Sequence, residues 1–155
     1  MGFLKQVSLF KDLGRSDLRQ LARIVHERSY RDGEYIVEQG KPGAALFVLR
    51  RGLVEVARRG NKGRRVPIAT LEPPACFEEA AATGTEWVHL FSARARGPVS
   101  VVALGKADLD ALSVNFPLAA NKVLMRLAGV MAMRLQMLLE TQYLEESEGH
   151  PGAEP

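Results

Sequence analysis

Sulfur and histidine are scarce in this chain. Its 155 residues hold one cysteine, Cys76, which excludes an internal disulfide and a thiolate-rich zinc site. His26, His89 and His150 stand far apart and fit no metal-ligand spacing, so satisfied structural or surface histidines are the expectation and no metal is expected. The Gly-x-Ser-x-Gly, phosphate-loop and His-Glu-x-x-His patterns are missing. No catalytic residue, no enzymatic activity and no cofactor are expected. No run nears the roughly 20 apolar residues of a membrane span. The opening Met1-Gly2-Phe3-Leu4-Lys5 has no apolar run long enough for a signal peptide. A cytoplasmic protein, of bacterial type, is expected.

What is present is one ordinary domain's worth of apolar residues, 46% hydrophobic against 25% charged. The net charge of +3 is unevenly placed. Four of the 18 acids (Glu145, Glu146, Glu148, Glu154) lie in the last stretch, leaving 14 against 21 basic residues in the body. A body that basic attracts acidic surfaces without specifying one. Residues 145–155, rich in Glu, Gly and Pro, are expected to be a disordered acidic tail, and 1–144 the folded domain.

Leu18, Leu21, Ala22 and Val25 predict an N-terminal helix with Ser16 as its N-cap. From Arg28 to Leu104 short apolar runs are cut by turn residues: Tyr35-Ile36-Val37, Ala45 to Leu49, Leu53 to Val56, Val66 to Ala69 and Val99 to Leu104. That texture predicts an antiparallel sandwich or jelly roll. The segment Arg58 to Arg65 reads as a hairpin turn with glycines supplying positive φ. Asp108 to Leu112 reads as a short helix, and Pro117 suits the first turn of a long one over about 117–143. The fold class is mainly β with α: a jelly roll flanked by an N-terminal helix and a long C-terminal helix. No second domain is read, and none that would bind DNA.

The string Gly33-Glu34-x-Ile36-x-x-Gln39-Gly40-x-Pro42-Gly43, then Leu46-Phe47-Val48-Leu49-x-x-Gly52-x-Val54-Glu55-Val56, resembles the cyclic-nucleotide-binding domain family. The lead-in Leu9 to Leu13 and the passage from Asp108 to Pro117 fit as well. The resemblance covers roughly Leu9 to Leu144 and implies the family's effector-domain fold, as in catabolite activators. It also implies one cassette: Phe-Gly-Glu, a turn of small residues, then Arg-Ser-Ala. There the glycine admits the cyclic phosphate to a backbone amide, the glutamate takes the ribose hydroxyl, and the arginine pairs with the phosphate.

Against that cassette Phe77, Glu79, Ala80, Ser92 and Ala93 match. Glu78 stands at the glycine and Phe91 at the arginine. Losing the arginine costs about 1.5–3 kcal/mol, or roughly ten- to a hundredfold in affinity. Glu78 adds a Cβ and a carboxylate beside the phosphate. Arg94 and Arg96 follow on the same strand, but alternation should point them away if Phe91 and Ala93 point in. Cyclic AMP and cyclic GMP are not expected to bind in the family's way.

Other residues carry more than one reading each. Cys76 is a buried inert hydrophobe or a reactive thiolate near a helix start. Trp87, with His89, is local packing, a platform for a base or a partner's anchor. Arg58, Arg59, Lys62, Arg64 and Arg65 are a solvated turn or a patch for an acidic protein face or nucleic acid phosphates, without the interleaved aromatics that would favour nucleic acid. The long helix carries two apolar stripes, Leu124-Ala128-Met131-Leu135-Leu138 and Val123-Leu127-Val130-Arg134-Met137, and four of the five methionines. Two stripes suggest two contacts, the domain's own roll and a second copy. Leu124, Leu127, Met131, Leu135 and Leu138 are the residues expected at a homodimer or partner interface. The functional expectation is a non-enzymatic regulatory or scaffold module acting on an unknown protein partner. The alternative is a small-ligand or atypical cyclic-nucleotide sensor that signals through the long helix.

Overall fold

The computed structural model describes residues 2–83 and 86–148. Two short 3-10 turns, Leu4–Gln6 and Ser8–Phe10, lead into α1, Arg15–Ile24. Eight strands follow: β1 His26–Tyr30, β2 Tyr35–Val37, β3 Pro42–Gly43, β4 Ala45–Arg59, β5 Arg65–Leu71, β6 Cys76–Phe77, β7 Trp87–Val88 and β8 Ser92–Gly105. Helices α2, Lys106–Asn115, and α3, Pro117–Glu148, complete the described residues. All strand pairs are antiparallel, with β8 between β1 and β4, and β4 between β8 and β5. The expected jelly roll with flanking helices is what forms.

Two long strands organise the core because each is apolar on both faces. On β4, Phe47 and Leu49 face the inside of the roll, while Leu46 and Val48 face the helices. On β8, Val101 and Ala103 face in, while Val102 and Leu104 face out. The outer set meets Phe10, Leu18, Leu21, Leu109, Leu112, Val123 and Leu127. One pair of strands therefore floors both cores.

Several sequence expectations need local correction. Ser16 is not the N-cap. Gly14 is, in extended backbone, and the Asp17 carboxylate reaches back to accept its N–H at 3.1 Å. Val25 falls just beyond that helix, and Ala22 is exposed. The runs Ala45–Leu49 and Leu53–Val56 are one strand, because Gly52 makes a bulge at φ +90° instead of a turn. A Cβ there would collide with the Pro98 carbonyl. In the β4–β5 hairpin the left-handed residues are Lys62 and Gly63, and Gly60 is extended. Helix α3 continues to Glu148, so 145–148 belong to it instead of to a disordered tail. The rest of that expected tail lies outside the described residues, as does His150.

Candidate functional site

The cassette starts where β6 lies against β4. Phe77 pairs with Phe47 across the strands, and the rings stack 5.4 Å apart. Phe77 is thus mainly a core residue. The chain then turns sharply at Glu78, whose φ of 59° is the left-handed conformation that glycine adopts freely. The left-handed turn forms here without a glycine, at a strain of about 1 kcal/mol or more.

The Glu78 carboxylate accounts for how that strain is held. It turns inward, 4% exposed, and Oε2 accepts a hydrogen bond from Trp87 Nε1 at 2.9 Å. His89 Nδ1 lies 2.6 Å from the same oxygen. Trp87 and His89 are held in turn by β7 pairing with β3 and by His89 backbone bonds to Gly40 and Lys41. Gly43 packs under the His89 ring, where any Cβ would overlap it. So the Glu78 carboxylate does not stand free toward a phosphate, contrary to expectation. Of the readings open for Trp87 and His89, the local structural one describes what they do here.

Glu79 heads a short 3-10 turn, Glu79–Thr83, in which Ala81 and Ala82 are buried and Ala80 half-buried. The Glu79 carboxylate, 3% exposed, is gripped on both oxygens by one guanidinium from α3. Arg134 Nη1 donates to Oε2 at 2.8 Å and Nη2 to Oε1 at 2.7 Å. Sequence reading gave Arg134 no role in the site. The signal was there, as the one charge in an apolar helical stripe, but nothing local names a partner 55 residues away.

Phe91, Ser92 and Ala93 do not converge. Phe91 lines the cavity beside the cassette, Ala93 is wholly buried in the roll, and Ser92 accepts the Gln39 N–H at 2.9 Å. Arg94 points away, as expected: its Nε donates to the Gly33 carbonyl at 2.9 Å and it lies over the Tyr35 ring. Arg96 faces Glu55. Neither reaches the cradle.

The cavity itself, about 570 Å³, lies between β5, the cassette and the second half of α3. Val56, Ile68, Leu71, Phe77, Phe91 and Leu138 supply much of its wall. Cys76, half-buried at its edge, has its thiol pushed up by burial and further by the nearby Glu79 charge. That favours the inert reading.

The basic hairpin is elsewhere. Arg58, Arg59, Lys62, Arg64 and Arg65 are all exposed, and Arg65 pairs with Glu55 at 3.3 Å. Of the expected interface residues, Leu127 is corrected: it is 1% exposed, in its own domain's core with Val123. Met131 packs partly against that core, and Leu138 faces the cavity. Leu124 and Leu135 remain exposed at 41% and 58%. Among the described residues no group of three acids, histidines or cysteines could hold a metal, and no helix is long and apolar enough to cross a membrane.

Comparison with known proteins agrees with this fold. A 126-residue stretch is 32% identical to a cGMP-dependent protein kinase, egl-4, of Caenorhabditis elegans, covering 75% of this chain and 16% of the kinase. The chain is 29% identical over 111 residues to a cAMP-dependent protein kinase regulatory subunit of Yarrowia lipolytica, covering 72% of this chain and 28% of the subunit. It therefore spans only a fraction of the curated relatives' length. In three dimensions it is similar to the Thermus thermophilus catabolite activator protein, with a TM-score of 0.77 and 29% identity over 88% of this chain and 62% of that one. The N-terminal domain of a Streptomyces coelicolor transcriptional regulator gives 0.77 at 24% identity, over 90% and 94% of the two chains. The family described as "Cyclic nucleotide-binding domain" matches residues 27–115, and this chain belongs to that family.

Proposed function

We propose that this domain is a non-enzymatic regulatory module that does not bind cyclic AMP or cyclic GMP in the family's usual way. It acts through protein contacts, with α3 as its output and the outward face of α3 as its homodimer contact. The observation that carries the reading is the pairing of Glu79 with Arg134 beside Phe91, which stands where the resemblance implies an arginine for the phosphate. The ribose-type carboxylate is already neutralised within the chain. No cation stands on the strand to receive a phosphate, since Arg94 and Arg96 point away. A nucleotide would have to break the Glu79–Arg134 pair and bury its own negative charge against an apolar wall.

Titration calorimetry with cyclic AMP, cyclic GMP and cyclic di-GMP tests this. No binding tighter than about 100 μM is expected. Binding tighter than about 10 μM that disappears in Glu79→Ala refutes the reading.

The dimer rests on Leu124, Leu135 and Leu139, which stay exposed along the flank of the stripe already in the core. Light scattering is expected to give a dimer mass for the wild type and a monomer mass for Leu124→Glu/Leu135→Glu. A monomeric wild type refutes the dimer.

A further inference from the structure

The cavity under α3 has properties that a vanished nucleotide site does not require. Its volume, about 570 Å³, is that of a small-molecule pocket. Its two walls face each other and stay uncovered: Ile68 on β5 is 54% exposed, and Met137 and Leu138 on α3 are 61% and 65% exposed. Apolar side chains held apart across a wetted gap carry an unfavourable free energy that any apolar occupant removes.

The polar side chains in the wall narrow the class of occupant. Glu79 and Arg134 neutralise each other. Glu78 Oε2 is taken by Trp87 and His89, and its Oε1, buried and unpartnered, is closed off from solvent. The Thr141 hydroxyl donates to the Met137 carbonyl at 2.9 Å. The Cys76 thiol stays protonated, because burial opposes its charged form. Arg134 keeps N–H donors beyond the two that grip Glu79, but its charge is matched by that carboxylate, so an anion meets no net positive charge here. A cation finds no unclaimed acceptor it can reach.

We propose that this cavity binds an uncharged, predominantly apolar small molecule of aromatic or fused-ring size, held between β5 and α3 with the Glu79–Arg134 pair intact. The site rests on the reading that cyclic nucleotide is not the ligand, and it supplies that reading with a different one. Because α3 forms one wall, the occupant fixes the second half of the helix against the roll.

The test uses the whole chain and the neutral fluorescent probe N-phenyl-1-naphthylamine. Saturable one-to-one binding is expected, at least about tenfold tighter than that of the sulfonated analogue, whose charge must be desolvated. Ala69 lies opposite Val56 across the strands and shares its cavity side, so Ala69→Phe fills the space. That variant and Leu138→Lys, from the other wall, are expected to weaken the probe at least about tenfold. Met125→Glu, in the first half of α3 and outside the cavity's lining, is expected to leave binding unchanged. Three results overturn the proposal: no saturable binding, binding lost in Met125→Glu but kept in the two cavity variants, or a sulfonated probe that binds as well. Displacement by cyclic AMP overturns both this proposal and the preceding reading. Failure of the probe with no cyclic AMP binding overturns this proposal alone.

Discussion

Glu78 shows how a single substitution is absorbed. A non-glycine residue at φ 59° is strained, yet the side chain that brings the strain also ties Trp87 and His89 into the turn. Replacing it by glycine relieves the backbone but leaves the buried His89 ring and the indole N–H without their acceptor. Glu78→Gly alone is therefore expected to be neutral or destabilising by about 1–2 kcal/mol in urea unfolding, although glycine is the family's residue. Joined to Phe91→Arg, it places a glycine and an arginine at the two positions where the resemblance implies the phosphate contacts. That double variant is expected to bind cyclic AMP at least about tenfold more tightly than the wild type in calorimetry. No gain would mean that the Glu79–Arg134 pair, and not the missing cation, closes the site. Cys76 yields a simpler expectation. With its thiol pushed up by burial, it should react with a disulfide reagent at pH 8 about a hundredfold more slowly than in the unfolded chain.

At the scale of elements, α3 is three things along one length. Its first turns bury Ala119, Ala120, Val123 and Leu127 against the roll's outer face, its middle sends Arg134 to the cassette, and its second half roofs the cavity. Leu127→Ala should cost about 2–5 kcal/mol as a core truncation. Leu135→Glu should leave the urea midpoint near wild type while lowering the solution mass. Arg134→Ala strands a buried carboxylate and is expected to cost about 1–3 kcal/mol, with Arg134→Lys recovering part of it. The sequence made the strands legible, since turn residues punctuate them, and it made the cassette legible through Phe77, Glu79 and the alanines. It could not show that Gly52 bulges a continuous strand, because a bulge and a turn both call for positive φ. Nor could it tell which helical stripe faces home. Leu127 and Leu135 look alike as letters, and only docking against Leu18 and Leu112 separates them.

Across the whole molecule, α3 is fastened to the body by charges as well as by apolar packing. Lys122 reaches Asp17 at 2.9 Å and Arg126 reaches Asp12 at 2.5 Å. The hydrogen bond from Lys122 holds the Asp17 carboxyl below its ordinary range, aided by the Gly14 N–H. Arg126 does the same for Asp12, with Lys11 and Lys122 adding to it. A carboxyl lowered in the fold stabilises that fold above its unfolded value, about 3.9. The contribution is lost as pH falls through the still lower folded value. These pairs lie at the surface, so each is small and screened by salt. The expected result is a urea midpoint that these groups leave flat from pH 7 to about 5 and that drops below about pH 4. In Lys122→Met/Arg126→Met the neutral plateau should sit slightly lower and the acid drop should be shallower, because the two carboxyls then titrate nearer their unfolded values. An acid limb of unchanged steepness in that variant would show that these two pairs do not govern acid unfolding.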